Sequence, residues 1–215
     1  MIALSSTRRR ETGFVTTQAD QRPILLASQS PRRAGLLREA GIAFETIGPK
    51  YEEPPVHGWR FSPPEYAEAV SYFKARSVAA DHPERLILAA DTVVALGSEL
   101  FGKPADRDDA GRILSTLGGT THCVVTGVTL LEPATGRRMI RHAVTQVTMR
   151  RMSDEEREAY LNGGDWQGKA GAYGIQDQGD AFVERTEGSF TNVVGLPVEL
   201  LGEMLAEFEA VDRSA

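Results

Sequence analysis

The sequence predicts an α/β protein whose strands form a mixed sheet. Apolar segments of strand length alternate with amphipathic helical patterns along the chain, which is typical of this class. Leu86–Val94, LILAADTVV, is apolar on both faces and indicates a central strand covered by helices. The strands His122–Leu131 and Arg138–Met149 flank a turn at Pro133–Gly136, so one hairpin adds an antiparallel pair to the sheet.

Composition and charge exclude several functional classes. The 215 residues are 41% hydrophobic and 25% charged, which is typical of a soluble globular protein with a sizeable core. The net charge of −6 disfavours a nucleic-acid partner. No apolar segment reaches the roughly 18 residues of a membrane span, the N-terminus lacks a secretory signal, and the single Cys123 cannot form an internal disulfide. We therefore expect a cytoplasmic protein with neither nucleic-acid nor membrane partners.

Local patterns predict the first strand and helix. Ile24–Ala27 is a short apolar strand, and Ser28–Ser30 forms a turn. A helix then begins, because Ser30 is a suitable N-cap, Pro31 favours the first helical position, and Gly41 permits a left-handed stop.

The remaining elements follow from the same kinds of signal. In chain order they are strand Ala43–Ile47, a helix that begins at Pro63 and is ended by His82–Pro83, a helix capped by Asp106 or Asp108 and ending at Leu117, a helix with a Ser153/Glu156 capping box that ends at Asn162–Gly164, strand Ala181–Thr186 and helix Pro197–Phe208. Gly48–Pro64 is predicted to be a loop, and the segment between Gly97 and Gly102 a turn or short loop. Residues 1–22 are polar and predict a flexible N-terminal extension.

Two arginines at the start of the first helix suggest an anion-binding site. A helix N-terminus carries a partial positive charge and unpaired N–H groups, so it favours acidic residues. Arg32 and Arg33 instead raise the positive potential, which is explained if a bound anion accepts from both guanidiniums. The alternative is that both arginines are solvated or pair with acids of the chain. The Ser28-x-Ser30-Pro31 turn after a strand favours a phosphate-like ligand.

Asp91 and an acidic pair are the candidates for acid–base or metal chemistry. A carboxylate near the end of an apolar strand loses solvation, which raises its pKa unless cations or hydrogen bonds compensate. Asp91 could therefore be a general base, a metal ligand or both, and the alternative is a structural hydrogen bond to the next loop. Glu52 and Glu53 could supply a second carboxylate for a divalent cation, or they could simply be solvated.

A glycine-rich segment, WQGKAGAYGIQDQG, is a candidate for substrate recognition. Its glycines permit close backbone approach, Lys169 supplies a cation, and the amide of Gln176 is suited to reading a base edge. The alternative is a compact surface loop that packs on its own aromatic residues.

Taken together, these motifs resemble those of the Maf family of nucleoside triphosphate pyrophosphatases. The matching segments span roughly residues 23–205 in the family's order. They are LASQSPRR (26–33), EE (52–53), KA (74–75), AADTVV (89–94), GKP (102–104), LGGTTHCVVTGV (117–128), KAGAYGIQ (169–176) and SFTNVVGLP (189–197). The resemblance implies an elongated, ITPase-like α/β fold with a twisted mixed sheet and a deep cleft between two lobes. We expect one domain over residues 23–210, a C-terminal tail over 211–215, and leave a homodimer open.

The resemblance also implies roles for individual residues. The expected catalytic residues are Asp91, Glu53, Lys103 and Lys74, and Asp91 and Glu53 are also expected to hold Mg²⁺ or Mn²⁺. The expected substrate-binding residues are Ser28, Ser30, Arg32, Arg33, Thr92, Lys169 and Gln176. Asp91 is taken as the proton acceptor, the arginines as phosphate ligands and Gln176 as a residue linked to substrate choice.

The sequence around these sites is similar to one branch of the family. Thr92 after Asp91, followed later by KAGAYGIQ, resembles the branch that hydrolyses dTTP and UTP rather than the branch that acts on 7-methyl-GTP. Ser71–Tyr72–Phe73 replaces a usual leucine-alanine pair, and Asp177 stands where glycine is common, so both could modify base preference. We therefore expect a nucleoside triphosphate pyrophosphatase that removes unwanted pyrimidine nucleotides, including modified ones. The alternative is a nucleotide-binding regulator of septum formation without important hydrolysis.

Overall fold

The computed structural model of the protein describes residues 22–53, 61–176 and 181–212, with side chains up to residue 210. The predictions for residues 1–21, for the 54–60 part of the first loop, for Asp177 and for most of the C-terminal tail lie outside the described residues. The strands and α-helices are β1 (Ile24–Ala27), α1 (Pro31–Glu39), β2 (Phe44–Ile47), α2 (Pro63–Ala79), β3 (Ile87–Leu96), β4 (Glu99–Phe101), α3 (Arg107–Leu117), β5 (Thr121–Glu132), β6 (Arg137–Met149), α4 (Asp154–Gly163), β7 (Val183–Glu187), α5 (Phe190–Val194) and α6 (Val198–Asp212).

The predicted α/β fold with a mixed sheet is confirmed. Seven strands form one sheet in the order β2-β1-β3-β5-β6-β7, and β4 pairs with β3 beside this path. β1 runs parallel to β2 and to β3, whereas the other neighbouring strands are antiparallel. β5 and β6 are the predicted hairpin, and they pair along their whole lengths from Thr121 to Glu132.

Two short elements differ from the predictions. The segment between Gly97 and Gly102, expected to be a turn or short loop, contains the three-residue strand β4, which pairs with the end of β3. α5 occupies five residues of the SFTNVVGLP segment, for which the pattern predicts no helix. Segments this short contain too few residues for an alternating or helical period to be visible. Asp106 is the N-cap of α3, because its carboxylate accepts from Asp109 N at 2.8 Å.

The central strand has a split edge. β1 pairs with the first half of β3, at Ile87 and Leu88, and β4 pairs with its last residues, Val94 to Leu96. Between these two pairings, no strand of the described residues lies along the same edge at Ala89–Val93. On the other edge, β5 pairs with β3 throughout. The middle of β3 is therefore paired on its β5 edge and unpaired on its β1/β4 edge.

One face of the central strands is covered by α2. Two apolar clusters lie under this helix, one around Ala75, Val78 and Ile87, the other around Tyr66, Val70 and Val93. Asp91 has the same strand parity as Ile87 and Val93, so its side chain lies between the two clusters. Its register partner on β5 is Gly127. A Cβ at Gly127 would lie 2.3 Å from the backbone of Ala67, so a glycine is required where α2 contacts the sheet.

The opposite face carries the larger core. Side chains from α1, α3, α4 and α6 pack there against β3, β5 and β6, with Leu37, Leu114, Leu130, Met149 and Leu201 almost fully inaccessible. None of the helices in the described ranges has the length and apolar character needed for a bilayer span.

We predict that Gly127→Ala destabilises the fold, because the added methyl group forces α2 away from the sheet. Overpacking of this kind lowers the free energy of unfolding by about 1–3 kcal/mol. Gly35→Ala in α1 is the matched control, since a Cβ there meets nothing within 4 Å and removing a helical glycine stabilises by about 0.5–1 kcal/mol. Chemical denaturation of both variants checks this, and equal stability of Gly127→Ala and wild type would contradict it.

Candidate active site

A cavity of about 420 Å³ opens at the split edge of β3. Its volume lies within the usual range of small-molecule sites. All eleven residues that the sequence analysis proposes for catalysis or substrate binding line it. They come from the β1–α1 turn, α1, the segment after β2, α2, β3, the segment after β4 and the glycine-rich segment. The structure thus brings the predicted residues together, while their individual roles stay predictions.

Asp91 and Thr92 are adjacent in β3 and line two different sides of this cavity. Asp91 and Thr92 point to opposite faces of the strand, as consecutive strand residues do. In a continuous sheet the two faces would be separated, but at the open edge both residues reach the same cavity. Asp91 lies on the α2 side, and Thr92 lies on the α1 and α5 side.

On the α2 side, a lysine ammonium lies between two carboxylates. Lys74 Nζ is 2.6 Å from Asp91 Oδ1 and 2.6 Å from Glu53 Oε1. Lys74 and Asp91 are only 4% and 5% exposed, whereas the Glu53 side chain is 38% exposed. Lys103 Nζ lies 3.4 Å from the same Glu53 oxygen and is exposed. Two cations and two carboxylates therefore form one connected group.

Burial and these charges shift the carboxyl groups in opposite directions. Burial raises the pKa of Asp91, and the charge and hydrogen bond of Lys74 only partly offset this effect. Burial also acts to raise the pKa of Glu53, but Lys74 and Lys103 together outweigh it and lower that pKa. Glu53 is therefore the more strongly held anion, and Asp91 is the carboxylate with the greater tendency to take up a proton.

The segment that carries Glu53 is held along α2. Lys50 N donates to Ser77 Oγ at 3.0 Å, and the Tyr51 ring stacks on Phe73 with centroids 5.5 Å apart. Phe73 belongs to the Ser71–Tyr72–Phe73 segment noted in the sequence. It contacts Tyr51, two residues before Glu53 in the chain.

On the other side, Arg33 is held by neutral oxygens. Its Nε donates to Gly195 O at 2.8 Å, one terminal nitrogen donates to Ser28 Oγ at 3.2 Å, and the other donates to Thr92 Oγ1 at 3.2 Å. Within the described ranges, no carboxylate oxygen lies within 4 Å of it. Burial lowers the pKa of Arg33 and the more distant Asp91 partly restores it, but a guanidinium stays charged in proteins. Its positive charge is oriented without being neutralised locally.

The turn and the glycine-rich segment close the cavity around Arg33. Ser30 Oγ accepts from Arg33 N, so Ser30 is the predicted N-cap of α1. An Arg32 terminal nitrogen donates to Gly168 O at 3.0 Å and connects α1 to the glycine-rich segment. Lys169 is buried in the cavity wall, and Gln176 is exposed at its rim.

An apolar wall lies beyond Thr92. It consists of side chains from β3, β5, α5 and the glycine-rich segment, namely Val94, Val124, Val194, Tyr173 and Ile175. The Tyr173 hydroxyl is 2.7 Å from Nε2 of His122, which lies behind the wall. Burial lowers the pKa of His122 to about 4, so the ring is neutral at physiological pH. A flat apolar group fits this wall better than a charged one.

The donor set fits a divalent cation that is shared with a ligand. Within the described ranges, no cluster of three or more His, Cys, Asp or Glu side chains could hold a metal ion. Glu53 and Asp91 supply two carboxylates, each bound to Lys74 through a single oxygen. Mg²⁺ is commonly held by one or two carboxylates together with phosphate oxygens and water. The two carboxylates match that pattern.

Several supporting residues were not identified from the sequence. Thr126, Asn192 and Gly195 hold Thr92 and Arg33 in place. Tyr51 packs the segment that carries Glu53 onto α2, and His122 contacts Tyr173 in the apolar wall. Threonine and asparagine in strands and short helices give no sequence signal of such a role. Only their positions in the matching segments LGGTTHCVVTGV and SFTNVVGLP mark Thr126 and the other two.

Comparison with known proteins finds relatives over most of the chain. The family model described as "Maf-like protein" matches residues 23–208. The chain is 46% identical to the dTTP/UTP pyrophosphatase of Nitratidesulfovibrio vulgaris, over 88% of this chain and 89% of that protein. It is 44% identical to the dTTP/UTP pyrophosphatase of Cereibacter sphaeroides, over 85% and 93%. It is 40% identical to that of Pelotomaculum thermopropionicum, over 86% and 96%.

We predict that His122 makes the fold sensitive to acid. Its pKa is 6.5 in an unfolded chain and about 4 in the fold, so protons bind preferentially to the unfolded state between these values. Its contribution to the free energy of unfolding is complete above pH 6.5 and falls by about 3 kcal/mol as the pH drops to 4. Denaturation across this range should show a shallower pH dependence for His122→Gln than for wild type.

The control is His82→Gln, which replaces a half-buried histidine in the segment after α2, and its denaturation curves are measured alongside those of His122→Gln. Parallel curves for wild type and His122→Gln would show that His122 does not carry the effect.

Proposed function

Because this chain belongs to the Maf family, we propose that its cavity hydrolyses dTTP and UTP to the nucleoside monophosphate and pyrophosphate. It is a nucleoside triphosphate pyrophosphatase, a hydrolase of acid anhydrides that acts on the nucleotide pool. Modified pyrimidine nucleotides belong to the same substrate class. The names of the relatives indicate this activity, and the cavity contains the residues that could carry it out.

The charge distribution of the cavity is the observation that supports this function most directly. Its lining includes five cations and two carboxylates, although the whole chain has a net charge of −6. An excess of positive charge inside an acidic protein favours a highly charged anion at this place. A triphosphate has the required charge, and the apolar wall beside Thr92 has room for a base.

The proposed chemistry is attack by water on the α-phosphorus. The new bond joins the water oxygen to the α-phosphorus, the bond from the α-phosphorus to the bridging oxygen breaks, and pyrophosphate leaves. Asp91 takes the proton of the attacking water, and its raised pKa suits a general base. Arg32, Arg33 and Lys103 stabilise the charge on the phosphates.

Lys74 and Glu53 have supporting parts in this mechanism. Lys74 holds the Asp91 carboxylate in one orientation through Oδ1, so the second oxygen is left to accept the proton. Glu53 and Asp91 are the residues that would hold Mg²⁺ or Mn²⁺. Such a cation supplies charge neutralisation for the phosphate oxygens. Gln176, at the rim, is suited to contact the base.

Further expectations concern the organisation of the protein. We propose that residues 23–210 form a single domain, that the protein is cytoplasmic, and that two copies form a homodimer. Sedimentation velocity of the full chain tests the dimer, and limited proteolysis tests the domain limits.

A substrate panel tests the proposed function. Pyrophosphate release is measured with the four common ribonucleoside and deoxyribonucleoside triphosphates, 7-methyl-GTP and a 5-substituted pyrimidine triphosphate, each with Mg²⁺ and Mn²⁺. We expect dTTP and UTP to be preferred. Tight triphosphate binding without release of pyrophosphate would instead support the nucleotide-binding regulator.

We predict that Asp91→Asn lowers kcat at least about 100-fold, the typical contribution of a general base. Binding of dTTP should largely survive, because the amide keeps the shape of the carboxylate and all five cations remain. Steady-state pyrophosphate release measures the first effect and isothermal titration calorimetry the second.

Asp81→Asn is the matched control for this substitution. Asp81 also accepts from a lysine at 2.6 Å, but the pair is exposed. The control should keep wild-type kcat. Wild-type turnover in Asp91→Asn would refute the assignment of the base.

A further inference from the structure

A chain of hydrogen bonds leads from Arg33 into the core. Arg33 donates to Thr92 Oγ1, which lies 2.9 Å from Thr126 Oγ1, and Thr126 Oγ1 lies 3.2 Å from Asn192 O. Thr126 and Asn192 are completely buried. Neither lines the cavity, so neither could touch a ligand there.

The direction of this chain follows from counting hydrogens. A carbonyl oxygen only accepts, so the Thr126 hydroxyl donates its single hydrogen to Asn192 O. Thr126 must then accept from Thr92. The Thr92 hydrogen is thereby directed away from Arg33, and its lone pairs are left to accept from the guanidinium.

Asn192 fixes the far end of this chain of hydrogen bonds. It also positions Gly195 O, which is a second acceptor of Arg33. Its Nδ2 donates to Val124 O at 3.0 Å and to Thr145 Oγ1 at 2.9 Å, which ties α5 to β5 and β6. Gly195 directly follows α5 as its C-cap, and its φ of +127° is a conformation that only glycine adopts easily. Gly195 O accepts from Arg33 Nε.

We propose that Thr126 and Asn192 are positioning residues for the phosphate-binding arginine. They orient the Thr92 hydroxyl and the Gly195 carbonyl, and these two groups hold Arg33 in one geometry before a ligand arrives. The inference rests on the proposed function, in which Arg33 binds the triphosphate. A preorganised guanidinium loses less conformational freedom on binding than a mobile one.

Thr126→Val tests the proposal, because valine keeps the volume and branching of threonine and removes the hydroxyl. Thr92 then loses its acceptor and is free to donate to Gly195 O, 3.5 Å away. Since Arg33 contacts the phosphates both before and during the reaction, we expect KM to rise about fivefold to tenfold with kcat changed less than twofold. The change should be equal for dTTP and UTP, because the base is not involved.

Thr129→Val is a close control for Thr126→Val. Thr129 is also on β5, is also completely buried, and is 2.8 Å from the Ser71 hydroxyl on the α2 side. Both variants lose one buried hydroxyl pair, and Thr126→Val also loses the bond to Asn192 O, so thermal unfolding should show destabilisation in both. Only Thr126→Val should raise KM, and Thr126→Ser should restore it.

Calorimetric titration with inorganic tripolyphosphate separates this inference from the proposed function. We expect wild type and Thr129→Val to bind it alike, and Thr126→Val to bind it about fivefold to tenfold more weakly. Absence of binding to wild type would count against the proposed function itself. Wild-type affinity of Thr126→Val, an equal loss in Thr129→Val, or no recovery in Thr126→Ser would overturn the positioning role. If Thr126→Val does not fold, Thr126→Ala and Thr129→Ala provide the same comparison.

Discussion

The ion pair of Lys74 with Asp91 is the interaction on which the arrangement of the cavity depends. It lies in a largely apolar contact between α2 and the sheet, with one apolar cluster on each side of it. Desolvation makes a buried ion pair weak evidence for stability, although removing one partner alone costs about 3–5 kcal/mol. An apolar pair would serve the packing at least as well. The charges are therefore best explained by what they do in the cavity.

The contact between α2 and the sheet determines this geometry. Gly127, the register partner of Asp91, allows the backbone of α2 to approach closely, and the helix then places Lys74 on the carboxylate. The same helix holds the segment that carries Glu53, through Ser77 and Phe73. One helix thus positions the ammonium and the second carboxylate, while the strand positions the first. A shift of α2 would move Lys74 and Glu53 relative to Asp91.

The regular elements could be predicted from the sequence, because long strands and helices repeat their pattern several times. β4 and α5 could not, since they are held by tertiary contacts rather than by their own periodicity. Asp91 and Arg33 were recognisable because a charge in an apolar strand, or at a helix start, conflicts with local preference. Thr126 conflicts with nothing, because threonine is an ordinary strand residue. Its role depends on partners 34 and 66 residues away in the chain.

The two sides of the cavity differ in whether carboxylates neutralise their positive charge. Lys74 lies between two carboxylates at 2.6 Å, and Lys103, 3.4 Å from Glu53, completes a group whose formal charges cancel. Arg33 is surrounded by a carbonyl and two hydroxyl oxygens, so its full positive charge remains. An anion is therefore favoured on the arginine side, and the carboxylate side offers the oxygen ligands that a divalent cation needs. A triphosphate with its divalent cation combines both requirements. The open edge of β3 makes this possible, because it lets side chains on both faces of a single strand reach one ligand.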